Sequence, residues 1–212
     1  MTTNDLNNLR HSCAHLLAAA VLELWPNAKR TIGPAIENGF YYDFDFGDSK
    51  ISDADLPKIV SKMHELVKSW DQFESREVSL AQAQAEYPDN TDKLELINEL
   101  KEQKLTLDKS GDYEDLCRGG HVDSPKNELK YFKLTHLAGA YWRGNEKNKM
   151  LTRIYGTIWP SKEELDSYLQ QQEQAEERDN RKLGKELELY TISPSVGPGL
   201  ILWLPNGTIL RE

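Results

Sequence analysis

Two pairs of reactive side chains with the same four-residue spacing place the strongest constraint on the fold of this chain. His11 and His15 lie in RHSCAH near the start of the sequence, and Cys117 and His121 lie in CRGGH. The first pair sits in a helical pattern, where residues four apart share one face. If the fold brings the two pairs together, three imidazoles and one thiol meet in one pocket. Such a set can hold zinc tetrahedrally, or it can organise water and polarise a carbonyl without metal.

Length and composition indicate a globular protein. The chain has 212 residues, enough for one large domain or two small ones. No run of about 18 apolar residues predicts a membrane span, and the polar start MTTNDLNNLR does not resemble a signal peptide. With only two cysteines, we expect reduced thiols and a cytoplasmic location. The formal net charge of -9 argues against a protein that coats nucleic acid nonspecifically.

The first part of the chain predicts a helix followed by a β-hairpin. Residues 5–25 repeat Leu and Ala at helical spacing, and Pro26 ends the pattern. The segment TIGPAIENGFYYDFDF predicts a hairpin with its turn at Asn38 and Gly39. In the second strand of this hairpin, four aromatic residues alternate with other side chains and give the strand one aromatic face: Phe40, Tyr42, Phe44 and Phe46.

The remaining patterns predict an α+β fold in which an antiparallel sheet packs against helices. Helical patterns cover 53–71, 79–86 and 91–103, and strand patterns dominate 105–159. Residues 161–189 predict a long charged helix with few apolar positions, which is typical of a connector. The strand-like run near the end of the sequence has no predicted partner. We therefore expect a first domain over 1–160, a linker helix over 161–189 and the truncated start of a second domain over 190–212.

Several blocks of the sequence resemble the editing domain of bacterial threonyl-tRNA synthetases. They are RHSCAHLLAAA, TIGPAIENGFYYDFD, DLCRGGHV, FKLTHLAGAYWRG and NKMLTRIYGTIW, in that order. RDNRKLGKELELY and GLILWLPNGTILRE resemble the linker helix of that family and the start of its class II catalytic domain. One departure is the turn, which in the family commonly reads CRGPH. Here Gly120 replaces the proline, and we expect its conformational freedom to leave His121 less firmly placed.

The resemblance implies a fragment that hydrolyses serine from mischarged threonine tRNA. A pocket that fits threonine rejects serine only weakly, because one missing methyl-sized group is worth about 1–3 kcal/mol. A second, hydrolytic site therefore meets a physical need. The family's ATP site and catalytic zinc belong to the missing part of the class II domain, so we expect no aminoacylation. The resemblance also implies a homodimeric parent enzyme and no cofactor for the editing fragment.

The family's editing residues fall on matching positions of this sequence. The catalytic set implied by the resemblance is His11, His15, Lys93, Cys117 and His121, with Tyr42 and Asp115 as substrate-binding residues. The histidines and Lys93 are expected to position and deprotonate water. Asp115 is expected to hold the seryl amino group, and Tyr42 to line the pocket near the terminal adenosine. For Cys117 the residue chemistry allows a nucleophile, a zinc ligand or a gate against the threonine methyl, and the resemblance favours the gate or a water-holding role.

A basic stretch is the candidate contact for the tRNA acceptor end. Residues 126–153 contain seven basic and two acidic side chains, and we predict that Lys130, Lys133 and Arg143 bind tRNA. Nearby aromatic rings either stack unpaired bases or fill the core: Tyr131, Tyr141, Trp142 and Tyr155.

Two other functions stay open. One is a zinc-dependent trans-editing hydrolase of the alanyl type, because the four-residue set is shared with the alanyl-tRNA synthetase editing family. The other is a non-catalytic structural zinc or tRNA-binding module. In either case the zinc ligands are expected to be His11, His15, Cys117 and His121.

Overall fold

The computed structural model describes residues 2–192, 197 and 200–211. The chain divides into two compact units, Met1–Leu165 and Asp166–Glu212. The described residues form eight α-helices and ten strands, and the strands pair in antiparallel fashion. The predicted α+β class is confirmed. The boundaries expected at 160 and 189 for a first domain and a linker helix stay predictions.

The helices and strands have the following bounds. The helices are α1 (Thr3–Leu24), α2 (Leu56–Leu66), α3 (Leu80–Ala85), α4 (Thr91–Glu99), α5 (Pro125–Glu128), α6 (Lys162–Glu177), α7 (Asn180–Glu186) and α8 (Pro205–Arg211). The strands are β1 (Lys29–Arg30), β2 (Ala35–Ile36), β3 (Gly39–Asp45), β4 (Glu74–Val78), β5 (Leu105–Ser110), β6 (Tyr113–Cys117), β7 (Tyr131–Tyr141), β8 (Met150–Trp159), β9 (Tyr190–Ile192) and β10 (Ile201–Trp203). Short 3-10 helices cover Asp53–Asp55, Val67–Ser69 and Trp142–Gly144.

Helix α1 lies in the main core of the first unit. Its start is fixed by a capping box, in which Thr2 and Asp5 each accept a backbone N–H from the other. Every residue from Ser12 to Val21 is buried, so the helix is enclosed on several sides rather than along one stripe. Alanines in this run let neighbouring elements approach the helix closely. The face that carries the histidine pair is therefore held inside the fold.

The larger sheet has the strand order β1-β3-β8-β7, and β2 also pairs with β3. Phe40, Tyr42 and Phe44 of β3 face the core that contains α1, which confirms the predicted aromatic face. The hairpin is also present, but its turn lies one residue earlier than predicted, because Gly39 pairs with Ile36. Gly39 belongs in the strand for a steric reason: a Cβ there would lie 2.1 Å from the carbonyl oxygen of Gly156 on β8.

The smaller sheet has the order β4-β5-β6 and forms a second core with α3 and α4. Val78, Ile97 and Leu107 are buried in this core. Helix α4 ends at Glu99, earlier than the predicted residue 103. Asn90 caps its start by accepting the backbone N–H of Lys93, which fixes Lys93 in the first turn.

The second unit corrects two sequence predictions. The single charged helix predicted over 161–189 is divided into α6 and α7, and Asp179 caps α7 by accepting the backbone N–H of Arg181. The predicted continuous helix was wrong because a segment with few apolar positions has little packing to hold it against a strong local cap. The strand-like run near the end of the sequence does have a partner, since β10 pairs with β9.

Across the part of the chain that the structure describes, no helix combines the length and the apolar character that crossing a bilayer requires.

We predict that Gly39→Ala destabilises the larger sheet. The added Cβ would meet backbone atoms of β8, which cannot move without disturbing strand pairing, and we expect a loss of about 1–3 kcal/mol in the free energy of unfolding. Gly139→Ala is the matched control, because there the nearest atom is Sδ of Met150, an exposed and flexible side chain. Urea unfolding of both variants checks this, and equal losses would contradict the steric argument.

Candidate active site

The two side-chain pairs that the sequence singles out lie together. His11 and His15 project from α1, Cys117 ends β6, and His121 follows in the next turn. One ligand atom from each lies within 4.8 Å of the others. Cys117 Sγ is 3.5 Å from His11 Nε2 and 3.3 Å from His121 Nε2. The predicted convergence of the pairs is thus present in the fold.

The turn between Cys117 and His121 depends on its two glycines. Gly119 has φ +80° and Gly120 has φ +83°, both in the left-handed region. Proline fixes φ near -65°, so this turn cannot form with the CRGPH sequence. The imidazole of His121 is 6% exposed and bonded to Asp108, and the expectation that Gly120 leaves it less firmly placed than proline would stays a prediction. Gly120 permits the backbone conformation that returns His121 to Cys117.

Burial sets the protonation of this cluster. Burial, helped by the nearby His121, lowers the pKa of His11 to about 4. Burial also lowers the pKa of His15 well below its usual range. Both imidazoles are therefore neutral near pH 7. Burial raises the pKa of Cys117, so its sulfur carries a proton and is a poor nucleophile.

A buried carboxylate, Asp115, organises the neighbouring wall. Its side chain is 2% exposed. It accepts hydrogen bonds or ion pairs from five side chains: Arg30 Nε at 3.1 Å, Lys93 Nζ at 2.8 Å, Tyr87 Oη at 2.8 Å, Tyr113 Oη at 3.0 Å, and the hydroxyl of Tyr42. Burial alone would raise the pKa of Asp115, but the charges of Lys93 and Arg30 hold it well below its usual range.

Lys93 joins this carboxylate to the rest of the site. Its ammonium group is buried and also donates to the backbone carbonyl of Thr31, at 2.8 Å. Burial lowers the pKa of Lys93, although Asp115 opposes that shift. The sequence blocks placed Lys93 least securely of the candidate residues, and the structure places it beside Asp115 and Tyr42.

All of the candidate catalytic and substrate-binding residues except His121 line one cavity of about 710 Å³. Its wall includes His11, His15, Tyr42, Lys93, Asp115 and Cys117. His121 lies behind Cys117 and lines a second, smaller cavity on the far side of the glycine turn. The volume of the larger cavity falls within the range of about 300–1,000 Å³ that is common for ligand sites in proteins.

Sequence reasoning missed several residues of the site. Tyr113 shares a strand face with Asp115, two residues away, so alternation along β6 could have identified it. Arg30 and Tyr87 reach Asp115 only through tertiary folding, and no sequence signal marks them. Ser12 and Asp108, which contact His121, were missed for the same reason.

None of the three predicted tRNA contacts lines the cavity, although Arg143 pairs with Glu99, which does. Lys130 and Lys133 are exposed. Arg143 pairs with Glu95 at 3.1 Å and Glu99 at 2.6 Å, both on α4. Three more cations of this stretch are also ion-paired: Lys126 with Asp71, Lys149 with Asp45 and Asp92, and Arg153 with Asp43. The positive charge counted along the sequence is therefore largely balanced by carboxylates from other elements.

Comparison with known proteins agrees with the sequence blocks. Residues 107–155 match the family described as the threonyl and alanyl tRNA synthetase second additional domain. Threonine–tRNA ligase of Flavobacterium psychrophilum is 50% identical over 214 residues, which cover 100% of this chain and 33% of that protein. The ligase of Rubrobacter xylanophilus is 50% identical over 205 residues, 96% of this chain and 32% of its own length. The chain belongs to the threonyl-tRNA synthetase family. It spans about a third of the length of these relatives.

The candidate site residues all lie within regions of the chain that match known proteins. The second additional domain match contains Asp115, Cys117 and His121. The histidine pair of α1, Tyr42 and Lys93 lie outside that match but inside the region aligned with the Flavobacterium ligase. The resemblance identified from the sequence is confirmed, while the roles of the individual residues stay predictions.

We predict that Lys93→Met destabilises the fold much more than a surface change does. The substitution removes a donor and a cation from a buried carboxylate, and we expect a loss of at least about 2 kcal/mol in the free energy of unfolding. Arg76→Met is the control, because Arg76 also pairs with a carboxylate but its side chain is 52% exposed, and we expect a much smaller loss, since water screens an exposed ion pair. Chemical denaturation measures both. Similar losses for the two variants would show that Asp115 does not depend on Lys93.

Proposed function

We propose that this chain hydrolyses the ester bond of a mischarged aminoacyl-tRNA, and that its substrate is threonine tRNA carrying serine. The observation that carries the proposal is the cluster of His11, His15 and Cys117 on the wall of the same cavity as the buried pair Lys93 and Asp115. Family membership supports threonine tRNA as the partner. It also supports a homodimeric, cytoplasmic parent enzyme, in which an editing site would correct the errors of a separate synthetic site.

The proposed chemistry needs a proton acceptor beside the ester. Water attacks the ester carbonyl carbon while a neutral imidazole takes its proton, and the ribose oxygen then leaves with a proton. His11 suits the acceptor role, since its imidazole is neutral near pH 7 and lines the cavity. A positioned base of this kind contributes about 10²- to 10⁴-fold, which is adequate for an aminoacyl ester that is already labile.

The structure narrows how Asp115 could hold the seryl amino group. Its two oxygens already accept from five side chains, and a carboxylate offers about four lone pairs. A substrate ammonium group can bond Asp115 directly only if one of these donors moves aside. We propose that Asp115 chiefly holds Lys93 and Tyr42 against the cavity, and that it contacts the substrate ammonium group only when such a donor has moved aside.

Cys117 suits a role as gate or water holder. Its protonated sulfur lies between His11 and His121 on the cavity wall. From this position the side chain can limit the space that is open to the methyl group of threonine, while admitting serine. Selectivity for serine would then come from shape at the wall and not from a covalent step.

A zinc-dependent hydrolase is the second candidate, and the close approach of four donor atoms favours it. The donor set of three imidazoles and one thiol fits zinc. His11, His15, Cys117 and His121 would hold the ion, which would lower the pKa of a bound water toward neutrality. Cys117 would have to lose its proton to act as a ligand. A purely structural zinc module would use the same four residues without hydrolysis.

Single-turnover deacylation tests the leading proposal. We expect the purified chain to release serine from seryl-esterified threonine tRNA and to leave the threonyl ester intact. His11→Gln should slow release by at least about 10²-fold, because it removes the proposed proton acceptor. His64→Gln is the matched control, since His64 is an exposed histidine on α2. If the bound seryl ester stays intact, or if His11→Gln is as fast as wild type, the proposal is wrong.

Zinc analysis with a chelator separates the candidates. For metal-free editing we expect no stoichiometric zinc and seryl release that ignores the chelator. One equivalent of zinc with chelator-sensitive release would indicate the zinc-dependent hydrolase. If the chain releases no serine and removal of bound zinc lowers its Tm, the cluster is a structural module.

A further inference from the structure

Three side chains hold the imidazole of His121 in a fixed orientation. Its Nδ1 lies 3.2 Å from Ser12 Oγ on α1, and its Nε2 lies 3.1 Å from Asp108 Oδ2 on β5. The ring of Phe73 stacks on the imidazole with centroids 3.9 Å apart and planes 9° apart. The side chain of Asp108 is 1% exposed. Neither Asp108 nor Ser12 belongs to the set of residues that the sequence implied.

These contacts assign the hydrogen on the ring. Asp108 Oδ2 accepts the backbone N–H of Gly119 at 3.1 Å and lies 3.1 Å from His121 Nε2. A carboxylate oxygen accepts hydrogen bonds, so the hydrogen between Oδ2 and Nε2 is placed on the ring nitrogen. Ser12 Oγ accepts the backbone N–H of Val122 at 3.1 Å. The hydroxyl group still has its own hydrogen to donate, and His121 Nδ1 lies within reach of it. Both ends of the ring therefore indicate the same tautomer.

This tautomer determines what His121 can do in the cluster. The Nδ1 lone pair is taken by Ser12, and Nε2 has a hydrogen in place of a lone pair. His121 consequently has no free lone pair with which to accept a proton from water. Its Nε2–H also faces Cys117 Sγ at 3.3 Å. On the other side of the sulfur, 3.5 Å away, lies His11 Nε2.

We propose that Asp108, together with Ser12, is a positioning residue that locks His121 as a hydrogen-bond donor toward Cys117 and leaves proton acceptance to His11. The inference rests on the proposed hydrolytic function and divides the roles of its histidines. Asp108 is absent from the residues that line the larger cavity, so it acts on the reaction only through His121. Loss of Asp108 would free the ring to rotate or to move its hydrogen to Nδ1.

Nitrogen NMR of the histidine rings reports the tautomer directly. In the wild-type chain labelled with ¹⁵N-histidine, we expect long-range correlations to show His121 protonated at Nε2. Asp108→Leu removes the acceptor, and the His121 pattern should shift toward Nδ1–H or an average of the two forms. Asp108→Asn retains a side-chain oxygen as acceptor and should keep the wild-type pattern. Asp43→Leu is the matched control, because Asp43 is a buried carboxylate that pairs with Arg153 far from the ring.

Kinetics of the same variants separate this inference from the proposed function. For Asp108→Leu we expect the single-turnover rate to fall between about 10- and 10²-fold, with half-saturation little changed, and Asp108→Asn to recover most of the rate. If Asp108→Leu does not fold, Ser12→Ala provides the test, since it removes the bond at Nδ1 and should also shift the His121 pattern. The inference would be overturned if His121 carried its hydrogen on Nδ1 in wild type. It would also be overturned if neither Asp108→Leu nor Ser12→Ala changed the NMR correlation pattern of His121. A tautomer shift in a chain that releases no serine would support the positioning role and refute the hydrolytic function.

Discussion

The buried charge of Asp115 is the interaction on which the fold and the site both depend. A carboxylate out of contact with water is costly unless cations and hydrogen-bond donors surround it. Here those partners come from different parts of the first unit, and they join the two sheets at one point. They are Arg30 of β1, Tyr42 of β3, Tyr87 after α3, Lys93 of α4 and Tyr113 of β6. The same bonds that close the fold also place Lys93 and Tyr42 on the cavity wall.

The features that could be predicted from the sequence are those whose buried residues recur at a regular spacing along the chain. Helix α1, the aromatic face of β3 and the two pairs spaced by four residues could all be predicted, because each follows from local repetition. Arg30, Ser12 and Asp108 could not, since each gains its role from a partner distant in sequence. The ion pairs of Arg143 could not be predicted for the same reason: its carboxylate partners lie on α4. The hairpin turn was displaced because the approach of β3 to Gly156, a tertiary contact, decides where the strand begins.

Metal-free hydrolysis and zinc-dependent hydrolysis require different positions for two hydrogens, that of the Cys117 thiol and that of the His121 ring. For water to be held without metal, Cys117 keeps its thiol hydrogen and His121 donates through Nε2. For zinc to be bound, the thiol hydrogen must leave, and His121 must offer a lone pair on the nitrogen that now faces Asp108 at 3.1 Å. A carboxylate in that position favours the donor form of the ring. The same four side chains thus serve either chemistry, and residues behind them decide which is favoured.

The order of strands in the larger sheet has a consequence for how the protein is made. In the order β1-β3-β8-β7, the last strand in sequence occupies an interior position between β3 and β7. A ribosome that has synthesised the chain only as far as β7 has therefore produced a sheet with its middle strand missing, and the core around α1 still lacks Ile154 and Ile158 of β8. The sheet is complete only when β8 has been synthesised. The residues that β8 pairs with on β3 are separated from it in sequence by more than half the length of the chain. Such distant pairing makes folding slow, and the unfinished intermediate is a natural client for a chaperone during translation.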